Sequence, residues 1–379
     1  MANIVILGAG FGGLTAVNEL KRLLNDKHSI TLIDRKDVFS VSAMNLWVML
    51  GKKKPEECVK DVKQIEGKGI KFVKDTVVRI DTDEKKVFTT TDYFRYDYLI
   101  ISLGVEYAED LIPGFREEAV NVYDINGAYN IFQQIEKFYR GKILIAIPKL
   151  PIKCPGAPYE TAFLLENYMK EQGRKSNVTI TICTAEPYPL PVAGRNCGNI
   201  MVNMLGERGI KIIQNAKILA ADKRKRALIL EDGTEEGYDL LICIPPHFLS
   251  PVLKAFADES GWIGVDKQTL RTKHDGVFAI GDAVGIKLSN GMMMPKAGVF
   301  AEEEAKVVCE IIADEIDEKK SKRVFDGKGY CFLEIGDNQA AKIVGKFFEP
   351  EPIVEIVPPS KENFYEKVSF VKRRMDELI

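Results

Sequence analysis

Runs of apolar residues alternate with amphipathic stretches along this chain, a pattern typical of α/β folds. Residues 2–7 form a short apolar run that predicts a buried parallel strand, and residues 14–24 follow with the apolar spacing of a helix. Residues 29–33 and 142–148 predict further buried strands of the same kind. The pattern therefore predicts parallel sheets flanked by helices, as in Rossmann-like dinucleotide-binding folds.

The same reading of hydrophobic periodicity places other elements along the rest of the chain. Strands are predicted at residues 69–73, 76–80, 85–90, 92–104, 178–183, 209–213, 216–219, 227–230, 238–244, 275–282, 329–334 and 340–344, and helices at 115–139, 199–208 and 299–316. The last two strands face each other across a Gly-Asp-Asn turn, which predicts a C-terminal hairpin.

The length of 379 residues is enough for two or three domains. The pattern predicts two Rossmann-like units, the second inserted into the first. Residues 1–108 and 241–320 are predicted to form the first, dinucleotide-binding unit, and residues 109–240 a second Rossmann-like domain. Residues 321–379 are predicted to be a separate C-terminal region.

The first apolar strand runs into Gly8-Ala-Gly10-Phe-Gly-Gly13, the G-x-G-x-x-G arrangement of a dinucleotide-binding loop. Glycines allow the backbone to approach a pyrophosphate, and the following helix N-terminus favours its negative charge. Asp34 ends the next strand 21 positions after Gly13, where a ribose hydroxyl would be met. The glycine loop is preceded by a strand, followed by a helix and accompanied by an acidic residue at the expected distance. This combination predicts dinucleotide binding much more specifically than the glycines alone.

A second strand–turn–helix unit carries a different loop. Lys153-Cys-Pro-Gly-Ala-Pro-Tyr-Glu160 follows the strand at 142–148, where a second glycine-rich phosphate loop would stand. One glycine, two prolines and Cys154 replace the glycine triad. The loop is therefore predicted to present a thiol instead of binding a second pyrophosphate.

The last residues of the chain predict an amphipathic helix. Its apolar stripe contains Phe364, Tyr365, Val368, Val371, Met375, Leu378 and Ile379, with Lys367, Lys372, Arg373 and Arg374 beside or opposite it. Two interpretations stay open: the helix packs on its own domain, or it lies in a membrane interface.

Composition narrows the classes of function. The chain is 46% hydrophobic and 28% charged with a net charge of −2, which does not indicate a nucleic-acid-binding protein. No apolar run reaches the ~18 residues of a membrane span, and the N-terminus lacks a signal-peptide pattern, so export is not expected. Seven cysteines without a C-x-x-C pair and three scattered histidines predict no metal site.

The order of motifs resembles that of the two-dinucleotide-binding-domain flavoproteins over essentially the whole chain. The matching features are the first glycine loop with Asp34, a strand ending in Ser102-Leu-Gly104, an inserted second unit and Ala279-Ile-Gly-Asp282. The resemblance implies FAD as cofactor, with these residues at its site: Gly8, Gly10, Phe11, Gly12, Gly13, Asp34, Arg35, Gly104, Gly281, Asp282 and Lys296.

Within that family, Cys154 to Glu160 with the late Cys331 resembles sulfide:quinone oxidoreductase and the flavoprotein subunit of flavocytochrome c sulfide dehydrogenase. The resemblance implies that hydrosulfide is oxidised at a Cys154–Cys331 pair and that FAD passes the electrons to a membrane quinone, with Cys331 nearer the flavin. It also implies that residues 321–379 form the region associated with quinone and membrane, in a peripheral membrane protein on an unspecified side. A homo-oligomer is allowed but not indicated. The other cysteines are expected to be core or without a role.

Several assignments keep two interpretations. Glu160 is either a proton relay or a solvated carboxylate, and Lys296 either stabilises charge at the flavin or quinone or is a surface lysine. The aromatic residues considered for a quinone pocket or plain core are Phe332, Phe347, Phe348, Phe364 and Tyr365. His247 follows a strand and is expected to be structural, with an approach to the flavin as the alternative.

Tyr123 marks a departure from the family, since many relatives carry a third cysteine in this region, so covalent attachment of FAD is not expected.

Three competing functions remain: a sulfide dehydrogenase that donates to a haem partner, an NADH:quinone oxidoreductase, and a sulfur carrier without turnover. The first would require export and the second a further glycine fingerprint after Ile147, and neither feature is found.

Overall fold

The computed structural model describes residues 1–24 and 27–379. Its α-helices follow the predicted order along the chain. They are α1 Phe11–Leu23, α2 Met44–Met49, α3 Phe115–Glu118, α4 Ile125–Ile135, α5 Ala157–Glu171, α6 Gly194–Glu207, α7 Gly298–Ile316 and α8 Lys361–Glu377. Short 3-10 helices occupy Pro55–Cys58, Val62–Lys68, Glu109–Leu111, Lys175–Asn177, Pro191–Ala193, Pro251–Phe256 and Gly281–Ala283.

The strands are mostly short, and the longest are in the C-terminal region. They are β1 Asn3–Leu7, β2 Ser29–Asp34, β3 Val38–Phe39, β4 Lys60–Asp61, β5 Lys71–Lys74, β6 Val77–Asp81, β7 Lys86–Thr89, β8 Tyr93–Arg95, β9 Tyr98–Ile101, β10 Glu106–Tyr107, β11 Ala119–Asn121, β12 Gly141–Ile147, β13 Val178–Thr184, β14 Lys211–Ile213, β15 Ile218–Asp222, β16 Ala227–Leu230, β17 Glu235–Gly237, β18 Leu240–Cys243, β19 His247–Phe248, β20 Ile263–Gly264, β21 Val277–Ala279, β22 Val284–Gly285, β23 Lys328–Gly336, β24 Gln339–Lys346 and β25 Ile353–Ser360.

The first sheet is parallel, with strand order β21-β9-β1-β2-β5. Leu7 of β1 pairs with Ile33 on one side and Ile101 on the other, so these strands end at one edge. The loops after β1, β2, β9 and β21 therefore converge there, as expected for a ligand site in an open α/β sheet. The central strands β1 and β9 are buried apolar runs, and both α1 and strand β8 of the antiparallel sheet β6-β7-β8 contact β1.

The second sheet is also parallel, with order β11-β18-β12-β13-β14. Its central strand β12 has five consecutive buried residues and leads to Cys154 and then to α5. The predicted fold class, two Rossmann-like units, is confirmed. β18 belongs to this second sheet, so the predicted border at residue 240 falls at the start of its strand; the division into domains itself stays a prediction.

The C-terminal region is an antiparallel sheet of β23, β24 and β25, not a hairpin alone. The predicted hairpin is present, and β25 adds a strand that the sequence pattern did not predict. Pro358 and Pro359 lie near the end of β25, and neither can donate a ladder hydrogen bond. β25 is an edge strand with a register irregularity opposite Ala340 and Lys342, and proline is tolerated at such positions.

The helix predicted over residues 115–139 is wrong in its middle. The chain forms α3, turns into β11 beside β18, and begins α4 only after Asp124. The Asp124 carboxylate accepts the backbone N–H groups of Asn126 and Gly127 and so caps α4. Helical spacing on both sides of a three-residue strand concealed the interruption.

α8 packs against the protein, which agrees with the first of its two interpretations. Lys367, Val371 and Met375 are buried on its inner face. Arg374 makes a bidentate ion pair with Glu302 of α7, with N–O distances of 2.9 and 2.7 Å. None of the helices in residues 1–24 and 27–379 has both the length and the apolar character needed to cross a membrane.

The turn from β1 into α1 yields a prediction for stability. A Cβ atom at Gly13 would lie 1.8 Å from the Gly8 carbonyl oxygen, whereas one at Gly206 in α6 would have no heavy atom within 4 Å. We expect Gly13→Ala to lower the free energy of unfolding by about 1–3 kcal/mol because the backbone must shift. Gly206→Ala should leave it unchanged or raise it. Denaturant unfolding of both variants checks this, and equal midpoints would contradict it.

Candidate functional site

The carboxyl edge of the first sheet opens into a cavity of about 530 Å³ that reaches the second unit and the C-terminal sheet. Its wall contains almost every residue predicted for the cofactor and the reaction. Those residues are Gly8, Gly10, Phe11, Gly12, Asp34, Arg35, Gly104, Cys154, Glu160, Gly281, Asp282, Lys296 and Cys331. Gly13 does not line the cavity but supports the loop from behind, against Gly8.

The glycine loop and Asp34 are built as one unit. The Asp34 carboxylate accepts the N–H of Ala9 at 2.6 Å and that of Lys36 at 2.8 Å, so it fixes the loop after β1. A Cβ atom at Gly10 would have no protein atom within 4 Å, which leaves the helix N-terminus accessible from the cavity. Arg35 forms an ion pair with Glu106 at 2.9 Å.

Asp282 follows β21 and carries a buried oxygen that needs a donor. Its Oδ1 atom has no hydrogen-bond partner in the protein. Because buried acceptors are nearly always satisfied, this atom points to a ligand hydroxyl. The orphaned oxygen, the open glycine loop and Asp34 fit FAD, whose pyrophosphate would lie on the N-terminus of α1 and whose ribityl chain would meet Asp282.

Lys296 is buried, so its surface-lysine interpretation is wrong. Its Nζ atom donates to the carbonyl oxygens of Asp282 at 2.7 Å and Val284 at 2.8 Å, and lies 3.6 Å from the Trp262 ring centroid. Burial lowers the pKa of the ammonium to about 8. The backbone carbonyl of Lys296 accepts the Cys154 N–H at 2.7 Å, so this residue also anchors the cysteine loop.

Cys154 has a left-handed backbone with φ of +46°, which is uncommon for a residue other than glycine. Three contacts hold it: its N–H donates to Lys296, and its carbonyl accepts the Ala157 N–H and the Tyr123 hydroxyl. This sharp turn comes directly before α5 and presents the thiol to the cavity. The arrangement resembles the strained strand-to-helix turn that displays nucleophiles in other enzymes.

Cys331 lies on β23 and lines the same cavity as Cys154, although 177 residues separate them. Cys154 is exposed at the cavity wall and Cys331 is half-buried. Desolvation by the surrounding protein raises the pKa of Cys154 to about 11 and that of Cys331 further. A negative charge on Cys154 also raises the pKa of Cys331, so the two thiols interact electrostatically. Both cysteines therefore line one cavity, and their action as a redox pair stays a prediction.

Tyr123, noted in the sequence as a departure, supports the thiol loop. Its hydroxyl lies 2.8 Å from the Lys153 carbonyl and 3.1 Å from that of Cys154. The Lys153 ammonium lies 5.4 and 5.8 Å from the ring centroids of Tyr107 and Tyr123. Burial alone would lower the pKa of Lys153, but Tyr107 and Asp282 raise it overall, so a positive charge is kept beside Cys154.

Glu160 is buried rather than solvated, so that alternative is wrong. Its carboxylate accepts the Lys367 ammonium and, at 3.1 Å, the backbone N–H of Glu334. Lys367 also donates to Glu334 at 2.8 Å, and the Trp47 indole N–H donates to the same carboxylate at 3.0 Å. From the sequence, Lys367 was assigned to the basic residues beside or opposite the apolar stripe of this helix. The buried ion triad was therefore not predicted.

In the triad, the opposite charges of the partners shift each pKa in the direction opposite to the shift caused by burial. Burial raises the pKa of Glu160 despite the neighbouring ammonium. Burial alone would raise the pKa of Glu334, but the charge of Lys367 lowers it overall. Burial alone would lower the pKa of Lys367, and the two carboxylates raise it.

Three aromatic rings form one wall of the cavity beside Cys331. Tyr330, Phe332 and Phe370 contact one another edge-to-face, with centroid distances of 5.6 to 6.1 Å. Of the aromatic residues considered from the sequence, only Phe332 lines this cavity; Phe347 and Phe348 pack near Phe300 and Phe325. Tyr330 and Phe370 were missed, although alternation along the strand puts Tyr330 on the same face as Phe332.

The remaining histidine and cysteine predictions are simpler. His247 is buried with Nδ1 2.7 Å from the Pro245 carbonyl, and its Nε2 has no hydrogen-bond partner among the described residues. Burial lowers its pKa to about 4, so the ring is neutral at pH 7, and its structural role stays a prediction. The cysteines expected to be core or without a role are buried: Cys58, Cys183, Cys197, Cys243 and Cys309. No group of three metal-ligating side chains occurs in the part of the chain that the structure describes.

Comparison with known proteins identifies the family. The model of the pyridine nucleotide-disulphide oxidoreductases matches residues 2–146 and 159–301, and the chain belongs to this family. The central domain of the sulfide dehydrogenase (flavocytochrome c) flavoprotein chain matches residues 130–187. The protein is accordingly an FAD flavoprotein oxidoreductase, as predicted.

Individual relatives agree with this placement. Mouse mitochondrial sulfide:quinone oxidoreductase is 24% identical over 353 residues, covering 89% of this chain and 76% of that protein. The type II NADH:quinone oxidoreductase of Staphylococcus saprophyticus is 26% identical, covering 74% and 73%. The crystal structure of sulfide:quinone oxidoreductase from Aquifex aeolicus has a TM-score of 0.89 at 22% identity, covering 100% and 91%, which shows the shared fold.

The ion triad yields a prediction for stability. Lys367→Met would leave two buried carboxylates without their cation, so we expect the free energy of unfolding to fall by about 3–5 kcal/mol. Lys372→Met, on the exposed side of the same helix, should change it by less than about 0.5 kcal/mol. Urea unfolding followed by circular dichroism measures both variants. Equal losses would show that the triad does not hold α8 in place.

Proposed function

We propose that this protein is a sulfide:quinone oxidoreductase, in which Cys154 and Cys331 oxidise hydrosulfide and FAD carries the electrons to a quinone. The observation that carries the proposal is the presence of both cysteines on the wall of the FAD-fitting cavity. One comes from the loop after β12 and the other from β23, so the fold brings together two distant thiols. The relatives named sulfide:quinone oxidoreductase support the same assignment.

The second Rossmann-like unit lacks the loop that a nicotinamide dinucleotide requires. Between β12 and α5 the chain has a single glycine, Gly156, and the segment also contains Cys154 and three prolines. The position that would receive a pyrophosphate instead displays a thiol. This favours sulfur over NADH as the electron donor.

The chemistry at the cysteines is thiol–disulfide exchange. Hydrosulfide attacks one sulfur of a Cys154–Cys331 bridge, a new S–S bond forms, and the other cysteine leaves as a thiolate. Lys153 stabilises charge on Cys154, since it lowers the pKa of that thiol against the effect of enclosure. When bound, FAD accepts two electrons from the sulfur and transfers them to a quinone.

Glu160 is the group best placed to handle protons near the thiols. It lines the cavity and its carboxylate is hydrogen-bonded to Lys367, which lines the cavity too. Burial raises the pKa of Glu160, which brings the carboxyl nearer to the range in which it can exchange a proton at neutral pH. We assign to this pair a proton-holding role, and to Lys296 the fixing of the Asp282 and Cys154 backbones.

The aromatic wall supports a quinone as the electron acceptor. Tyr330 and Phe332 point to the opposite face of β23 from Cys331, since side chains alternate along a strand. Together with Phe370 they offer an aromatic wall at the side of the cavity next to α8. A haem-protein partner, as in flavocytochrome-type sulfide dehydrogenase, is the second candidate, favoured by the match of residues 130–187.

The outer face of α8 is suited to contact with a membrane surface. Tyr365 is 63% exposed and Phe364 packs edge-to-face against it at 5.5 Å, while Lys361, Lys372 and Arg373 are exposed nearby. Aromatic and basic side chains together favour an anionic lipid interface. We infer peripheral binding through this face, with the inner face of the same helix still packed against the protein.

The sulfur assignment predicts how the flavin responds to each donor. Under anaerobic conditions sulfide should bleach the flavin absorbance of the wild-type protein in a stopped-flow experiment, and NADH should not. Cys154→Ser and Cys331→Ser should retain FAD and lose at least about 10³-fold of the sulfide-dependent rate, because the exchange step is removed. Cys58→Ala, a buried cysteine outside the cavity, serves as the control.

Two results would contradict the assignment. Bleaching by NADH at a rate comparable to that with sulfide would indicate a nicotinamide-dependent enzyme. Wild-type sulfide rates in either serine variant would exclude the thiol mechanism. Fast flavin reduction by sulfide without reoxidation by a soluble short-chain quinone would favour the haem-partner alternative.

If α8 contacts a membrane, substitutions on its exposed face should weaken vesicle binding without changing the stability of the protein. Tyr365→Ser with Lys372→Glu and Arg373→Glu should reduce co-sedimentation with anionic phospholipid vesicles by at least about fivefold, because one aromatic contact is lost and two basic charges are reversed. The same three residues lie on the exposed side of α8, so the unfolding midpoint should stay unchanged. A charge reversal far from this face, Lys85→Glu, is the control. Unchanged co-sedimentation of the triple variant would contradict membrane contact by α8.

A further inference from the structure

One lysine on the wall of the large cavity lacks the acceptors that its neighbours have. The buried or half-buried lysines on this wall are Lys153, Lys296 and Lys367. Lys296 donates to two backbone carbonyl oxygens and Lys367 to two carboxylates, so both ammonium groups are satisfied within the protein. Lys153 is half-buried, and it forms no ion pair with any carboxylate of residues 1–24 and 27–379. Its charge is therefore available to a ligand.

The backbone and two aromatic rings fix the position of this ammonium. The carbonyl oxygen of Lys153 accepts the Tyr123 hydroxyl at 2.8 Å, and the residue forms a bridge to the backbone of Lys296. Its Nζ atom lies 5.4 Å from the Tyr107 ring centroid and 5.8 Å from that of Tyr123, and the two ring centroids lie 6.4 Å apart. Cation–π attraction keeps the charge at these rings, next to the turn that presents Cys154.

The cysteine beside this ammonium carries no charge that would offset it when a substrate arrives. Desolvation raises the pKa of Cys154 to about 11, so the free thiol is neutral at pH 7, and a cysteine joined in a bridge has no charge either. Burial alone would lower the pKa of Lys153, but Tyr107 and Asp282 raise it overall, which keeps the ammonium protonated. Because a cation in a partly desolvated site is unfavourable without an anion in contact, this position favours a small anion.

A second group at the same place lacks a partner. His247 is 8% exposed and packs against the same two tyrosine rings, with centroid distances of 5.1 and 5.8 Å. Its Nδ1 atom donates to the Pro245 carbonyl, so Nε2 is an acceptor, and among the described residues it has no donor. Burial and, to a smaller extent, the charge of Lys153 lower the pKa of this ring. An anion that also carries one hydrogen-bond donor would complement both groups.

We propose that Lys153, Tyr107, Tyr123 and His247, which we call the anion pocket, bind the incoming hydrosulfide ion beside Cys154 before it attacks the bridge. The Lys153 ammonium is the counter-ion of the sulfur, and the S–H group is the donor that the His247 Nε2 atom lacks. This inference rests on the proposed oxidation of hydrosulfide and adds the site that captures the substrate. No covalent bond forms or breaks in this step.

Azide, a small monovalent anion that does not reduce flavin, probes the pocket separately from the chemistry. It is titrated into the oxidised, FAD-loaded protein by isothermal titration calorimetry in a sulfate buffer of constant ionic strength. Bleaching of the flavin by sulfide is then followed in an anaerobic stopped-flow experiment with and without azide. For the wild type we expect saturable azide binding. Azide should raise the sulfide concentration that gives half of the limiting bleaching rate and leave the limiting rate unchanged.

Substitutions of the lysine show whether its charge binds the anion. Lys153→Met should weaken azide binding and raise the half-saturating sulfide concentration, each by at least about tenfold, because the counter-ion is lost. Lys153→Arg keeps the charge and should retain most of both affinities. Lys149→Met, at an exposed lysine outside the cavity, should match wild type. A lysine that only stabilised the Cys154 thiolate would change the limiting rate and leave the azide affinity as it is.

The outcomes separate this proposal from the proposed function. If sulfide does not bleach the wild-type flavin, the proposed function fails, and the assignment of hydrosulfide to the pocket fails with it. If sulfide bleaches the wild-type flavin but azide does not compete with it, or Lys153→Met keeps the wild-type affinities, the anion pocket is overturned while the function stands. Should Lys153→Met fail to bind FAD, Lys153→Gln, which keeps a polar group without the charge, decides in the same assays: weaker azide binding than in wild type supports the pocket, and equal binding refutes it.

Discussion

A single buried ammonium group, that of Lys367, holds together the parts of the chain on which the site depends. It pairs with Glu160, six residues after Cys154, and with Glu334, three residues after Cys331. The Glu160 carboxylate also accepts the backbone N–H of Glu334, which ties α5 directly to β23. Because an unpaired buried carboxylate is unfavourable, the Lys367 ammonium stabilises the contacts of α8 with α5 and β23. The relative position of the two thiols follows from this cluster.

In the proposed function, the scaffold that binds two dinucleotides elsewhere is adapted to a different electron donor. The first unit keeps an open glycine loop, and the orphaned oxygen of Asp282 shows where a ligand hydroxyl is required. The second unit keeps the strand and helix but changes the turn between them. At Cys154 a left-handed backbone, held by Lys296 and Tyr123, replaces the glycines and aims a thiol at the flavin cavity. The loops after β1 and β12 thus occupy equivalent places in their units. The first fits the cofactor, and the second is proposed to carry the thiol chemistry.

The sequence predicted the features that local pattern determines. An apolar strand, a glycine loop and Asp34 follow one another within 34 residues, and a parallel sheet places them at one edge. Cys154 was recognised because it stands where a glycine was expected. Cys331 has no such local signal, and its assignment came from the family resemblance.

The missed features depend on contacts between distant segments. Lys367 has the spacing of a polar helix face, and only packing against Glu160 and Glu334 shows that it is buried. The strand β25 contains two prolines that suggest a break, and the sheet accommodates them at its edge. Tyr330 of β23 and Phe370 of α8 are in contact although 40 positions separate them in the sequence. Periodicity within a single element cannot predict such a contact.

The central claim is that the fold unites Cys154 and Cys331 in one sulfur-exchanging pair. The most direct measurement is mass spectrometry of a tryptic digest, prepared without reductant from protein exposed to sulfide and quinone. The account predicts one linked species that joins the peptides containing Cys154 and Cys331 through two or more sulfur atoms beyond the two cysteine sulfurs, and that dithiothreitol separates. Recovery of both peptides as separate, freely alkylated thiols under these conditions would contradict it.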